Sequence, residues 1–136
     1  MARDRQVFLY RLLRPGESTI IVRNQQSSPL LTPNDTYMNF IIWNCRGVRS
    51  ADFRRNFRSL LDYNHPSLVV ILKTHCRDHQ HLKEEFNFNG LLEEPAIGQL
   101  GGIAILWATD ALTVDYVAST RQEIHCHIQA VTPTAG

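Results

Sequence analysis

The chain lacks any apolar run approaching the ~18 residues of a membrane span; its longest apolar stretches, such as IAILWA and LVVIL, are of strand length. Cysteine is scarce: Cys45, Cys76 and Cys126 form an odd, widely spaced set. Such a set is no disulfide framework, and it fits a reducing compartment. An excess of one charge is also missing. Fourteen basic residues face 13 acidic ones, a net charge of +1, so no overall basic field argues for nucleic acid. The glycines of GQLGG (98–102) are not followed by Gly-Lys-Ser/Thr and precede a strand-like segment, which excludes a phosphate-binding loop and leaves a tight turn. The N-terminal MARDRQVFLYRLLRPGES has an apolar patch interrupted by Arg11 and Arg14, too short for a secretory signal, and Asp4 opposes an organelle-targeting reading. No internal repeat is evident.

What is present is a chain of 136 residues, enough for one domain or part of one. Residues 1–37 differ from the rest. VFLYRLL and STIIVR each suit a short strand or helix, and the Ser-, Pro- and Asn-rich stretch that follows reads as a linker, placing a boundary near Tyr37. From Met38 the pattern is regular. Asn39–Trp43 reads as a buried strand. Ser50 is placed to cap a helix, with Asp52 near its positive end. Phe53, Phe57, Leu60 and Leu61 fall on one face of that helix, and Asn64-His65-Pro66 ends it. SLVVIL is a second buried strand. The result is a strand–helix–strand unit whose crossover favours parallel strands.

A short helix is expected over CRDHQHLKEEF, with Leu82 and Phe86 on one side, and NFNGLLEEP suits a strand or turn. GGIAILW, LTVDYVAS and EIHCHIQAV follow as strands. In the last, Ile124, Cys126, Ile128 and Ala130 alternate with His125, His127 and Gln129, which predicts one wet face. The expected fold class is therefore α/β with a mixed sheet.

Parallel strands end at one edge of a sheet, and ligand sites in open α/β sheets lie at that edge. Asn44 follows the first strand and Lys73 the second, with Gly47 allowing the loop between to turn tightly. Arg46, Arg49, Arg54, Arg55 and Arg58 fall within 13 residues and are offset by Asp52 alone. This cluster suits either a solvated helix face or contacts with phosphates. Cys76, His79 and His81 lie close together, but a zinc site would need a fourth ligand from Cys45, His75 or elsewhere, and a solvated helix start is the simpler reading. His125 and His127 read as exposed histidines on the wet face, and Trp43 and Trp107 as core. Glu84, Glu85, Glu93 and Glu94 are expected in a helix and a loop, away from the strand-end edge.

Five segments together resemble the endonuclease/exonuclease/phosphatase superfamily, most closely the endonuclease domain of plant LINE-type retrotransposons. They are WNCRG (43–47), the arginine-bearing helix, PSLVVILKTH (66–75), GQLGGIAILW (98–107) and STRQEIHCHIQ (119–129), so the resemblance spans about residues 38–130. It implies a four-layer α/β/β/α sandwich, of which residues 38–136 would form the first half, and Mg²⁺-dependent phosphodiester hydrolysis of DNA. It also implies an intracellular, nuclear setting. Asn44 matches the asparagine that supports the metal and phosphate site. Lys73 occupies the position of the family's metal-binding glutamate.

That departure governs the functional expectation. Mg²⁺ takes oxygen ligands, and an ammonium has no lone pair to give. A unit positive charge ~4 Å from a divalent ion costs roughly 8 kcal/mol at an effective dielectric of about 20. Lys73 suits a grip on phosphate as a point charge instead. The family's later catalytic residues, a tyrosine, an Asp-x-Asn pair and an Asp-His pair, find no match before the chain ends. The expectation is a truncated, catalytically impaired relative that does not hold Mg²⁺ tightly and self-associates through an uncovered sheet. A live Mg²⁺-dependent nuclease and a non-catalytic nucleic-acid-binding module using Arg46–Arg58 are the alternatives.

Overall fold

The computed structural model describes residues 7–14, 17–23, 36–98 and 100–131. In chain order the elements are β1 (Val7–Arg14), β2 (Glu17–Arg23), β3 (Thr36–Asn44), α1 (Ala51–Asn64), β4 (Leu68–Leu72), α2 (Gln80–Glu85), β5 (Gly90–Glu94), β6 (Ile103–Trp107), β7 (Leu112–Thr120) and β8 (Glu123–Ala130). They form a five-stranded sheet of order β1-β3-β4-β6-β5 and a three-stranded sheet of order β2-β8-β7. Only β3 and β4 pair in parallel, so the larger sheet is mixed as expected.

The crossover between β3 and β4 follows from its residues. The Ser50 hydroxyl accepts from the Phe53 amide at 3.0 Å, satisfying one of the unpaired donors of the first turn. At the other end His65 turns left-handed (φ 47°) and returns its N–H to Leu61 O at 2.9 Å, in front of Pro66. Phe53 and Phe57 bury one helix face, and Phe53 stacks on Trp43 with ring centroids 5.0 Å apart. Phe57 meets Phe86, just past α2, at 4.5 Å.

Every residue of β4 and β6 is buried, because both faces of these strands are covered. Ile41, Trp43, Val69, Ile71, Ala104 and Leu106 face the helices. Phe40, Ile42, Leu68, Val70, Leu72, Ile103 and Ile105 face the second sheet, which contributes Leu112, Ile124, Cys126 and Ile128. The described residues thus make three layers: helices, a five-stranded sheet, a three-stranded sheet. The outer helical layer of a four-layer sandwich has no counterpart among them. The alternation along β8 is as expected, with Ile124, Cys126 and Ile128 buried and His125, His127 and Gln129 on the wetter side. Trp107 is core and lies directly on Gly90, where an added Cβ would stand 2.1 Å from its ring.

The boundary expected near Tyr37 falls inside β3. The two strands before it are woven into both sheets, β1 antiparallel to β3 and β2 antiparallel to β8. Residues 24–35 of the expected linker lie outside the described residues.

Candidate functional site

The C-terminal ends of β3 and β4 and the N-terminal end of β6 meet at one edge. Here the backbone carries the structure. Cys45 N donates to Leu72 O, Gly47 N to Lys73 O and Val48 N to Thr74 O, tying the first loop to the second. Thr74 N donates to Gly102 O and His75 N to Gly101 O, tying the second to the third. Six residues of these loops are left-handed: Arg46 (φ 55°), Gly47 (114°), Lys73 (53°), His75 (56°), Gly101 (73°) and Gly102 (92°). Non-glycine residues in this region cost on the order of 1–3 kcal/mol each, and such strain concentrates where side chains must be aimed.

Asn44 ends β3 and Lys73 follows the end of the adjacent β4, as the sequence predicts. The Asn44 Oδ1 is buried and has no hydrogen-bond partner among the described residues. In-register pairing sets Asn44, Leu72, Ile103 and Glu94 in one row across the sheet. Glu93 and Glu94 therefore close β5 at the same edge as Asn44, which corrects the expectation that they lie away from it. The row also fixes how far apart they are: three strand spacings put Glu94 roughly 14 Å from Asn44, too far to share one metal ion. Glu94 accepts from the Ser119 hydroxyl at 3.1 Å, a link between the two sheets.

A neutral amide, an ammonium and a carboxylate two strands beyond Lys73 are a poor donor set for Mg²⁺. No group of three or more His, Cys, Asp or Glu side chains is placed to hold a metal ion among the described residues. The side chains present here do not fit the metal that the resemblance implies.

Cys76, His79 and His81 do not come together as ligands. His79 is instead fully buried at the centre of a polar relay. Its Nδ1 lies 2.8 Å from Glu93 Oε1 and its Nε2 2.7 Å from Thr74 Oγ1. An ionised carboxylate only accepts, so Nδ1 carries the proton and the Thr74 hydroxyl donates to Nε2. Thr74 Oγ1 also accepts from Cys76 N at 3.3 Å. Burial pushes the His79 pKa down, against the hydrogen bond and charge of Glu93, which keeps the ring neutral. The order hydroxyl–imidazole–carboxylate is that of a nucleophile relay, but Thr74 is 0% exposed. The relay clamps the edge, with its hydroxyl and imidazole covered from solvent. Nothing in the spacing of Thr74, His79 and Glu93 announces this network.

The arginine cluster divides. Arg54 binds Glu85 at 3.1 Å, Arg55 pairs with Asp52, and the Arg58 guanidinium lies 5.1 Å from the Phe86 ring centre. These three are engaged along α1. Arg46 and Arg49 line an open cleft of about 350 Å³ at the strand-end edge, with Gly47, Ser50, Thr74 and His75. The start of α1 opens into this cleft through Ser50, adding its partial positive charge. None of the residues lining it is acidic. Comparison with protein-family models, curated proteins and solved structures yields no match.

Proposed function

We propose that this domain is a relative of the endonuclease/exonuclease/phosphatase nucleases that engages nucleic-acid phosphates without hydrolysing them. The observation that carries the reading is the acid-free cleft lined by Arg46, Arg49 and His75 beside the start of α1. An anion entering it meets the positive charge of Arg46 and Arg49, the residue type best suited to phosphate oxygens. The order of motifs from WNCRG to STRQEIHCHIQ supports the relationship. Lys73, standing where that family carries a ligand carboxylate, supports the loss of hydrolysis. It adds positive charge at the neighbouring strand end and offers nothing to Mg²⁺.

Two measurements test this together. Purified protein is incubated with supercoiled plasmid and Mg²⁺, with and without chelator, and its DNA affinity is followed against salt. The expected result is no nicking and an affinity that falls steeply with salt. Arg46→Ala with Arg49→Ala lowers the salt slope by about two, at roughly 0.9 per phosphate contact. Chelator-sensitive nicking that Asn44→Ala abolishes would establish a live nuclease and end the proposal.

A further inference from the structure

Most large side chains in the described part of the chain are covered, but Leu100 is 75% exposed and Ile97 51%. Their backbones are tied to one another and to the strand-end edge. Ile97 N donates to Leu100 O and Leu100 N to Ile97 O, each at 3.0 Å, closing a tight turn. Both legs of that turn are fastened to the loop after β4. Ala96 N donates to Cys76 O, and Gly101 O and Gly102 O accept from His75 N and Thr74 N. The backbone that holds the apolar pair is therefore the same backbone that places Thr74 and His75 in the cleft.

The two features are complementary in chemistry as well as joined through the backbone of Thr74, His75 and Cys76. The cleft offers cations and a concave space; the turn beside it offers two aliphatic side chains that gain by leaving water. A ligand satisfying both has an anionic group and an apolar face a short distance apart, repeated along a polymer. Nucleic acid has that character, with a phosphate at every nucleotide and a base whose faces are apolar. A membrane surface fits less well. Two aliphatic side chains on one tight turn are a small apolar area for stable anchoring, and the cations line a cleft instead of a flat face.

Resting on the phosphate-binding reading above, we infer that Ile97 and Leu100 form a wedge that packs against a nucleobase next to the phosphate held by Arg46 and Arg49. The wedge separates that base from its neighbour, as apolar side chains do elsewhere when they enter a base step. The ligand class is thereby narrowed to strands whose bases are unpaired or easily unstacked, with single-stranded DNA preferred over a fully paired duplex.

The test uses the full chain and a single-stranded oligonucleotide carrying 2-aminopurine, whose fluorescence rises on unstacking. Wild type is expected to bind with a fluorescence increase. Ile97→Ser with Leu100→Ser is expected to bind about tenfold more weakly, with an unchanged salt slope and no increase. Arg46→Ala with Arg49→Ala lowers the salt slope instead. Both pairs are solvent-facing, and matching thermal melts show that each variant is folded. Wild-type binding without unstacking, or an Ile97/Leu100 variant equal to wild type, overturns the wedge and leaves the cleft standing. Failure of wild type to bind any DNA overturns both. Binding to phosphatidylserine/phosphatidylcholine vesicles in place of DNA overturns the wedge in favour of a lipid surface.

Discussion

Replacing Gly102 by alanine puts a methyl group where the strand-end edge has no room for one. An added Cβ would lie 2.2 Å from Thr74 Oγ1 and 3.3 Å from both Ala96 Cβ and Cys76 O. The backbone there has φ +92°, so any side chain adds strain of about 1–2 kcal/mol. Thr74 cannot turn away without giving up its bond to His79. The ring nitrogen left behind is buried and without a partner, which costs on the order of 1–3 kcal/mol. The two terms together predict a loss of roughly 2–5 kcal/mol in urea unfolding. Gly98→Ala is the internal control. Its φ is also positive, +63°, but nothing lies within 4 Å of the added Cβ, so only the backbone term applies. A second control repeats Gly102→Ala in a Thr74→Ala background, where the methyl group has lost its obstacle and the two effects stop adding. Equal losses for Gly98→Ala and Gly102→Ala, or strict additivity with Thr74→Ala, would refute the contact and with it the relay as the clamp of this edge.

Acid should weaken the fold through His79. Its folded pKa lies below the ordinary 6.5 because of burial, so the unfolded chain binds a proton first as pH falls. Stability is full above 6.5 and declines below it until His79 itself protonates; in His79→Gln, unfolding at pH 7.5 and 5 loses this part of the difference. Gly90→Ala is expected to cost about 1–3 kcal/mol by overpacking against Trp107, with a shift in tryptophan emission. The buried Cys126 thiol, pushed up to about 12 by desolvation, should resist alkylation at pH 8 in the native protein and react only after unfolding, as peptide mass spectrometry can resolve.

The parts of the fold legible in the sequence are those governed by local chemistry. Ser50, the Phe53/Phe57 spacing and His65-Pro66 delimit α1 within one stretch of chain, and the alternation in β8 needs no partner to be seen. Pairing is different. Nothing within VFLYRLL or STIIVR says that one joins β3 and the other β8, because the partners lie far along the chain. The cluster of five arginines is continuous in sequence, but helical periodicity turns Arg54 and Arg58, one turn apart, toward Glu85 and Phe86. Arg46 and Arg49 precede the helix and take the cleft. In the sequence His79 suits either a metal ligand or a solvated helix start. Its actual partners, Thr74 and Glu93, come from the ends of two strands that flank β6, and only the folded sheet brings them together.

The strand-end loops are joined by main-chain groups, which every amino acid but proline supplies alike. Their exterior is therefore interchangeable. Arg46, Lys73 and His75 sit in left-handed conformations that favour glycine or asparagine and penalise β-branched replacements. Within that rule, evolution or an engineer is able to repopulate the rim with acids, amides or cations while the frame beneath persists. A platform of this kind can lose one chemistry and acquire another without ever having to refold.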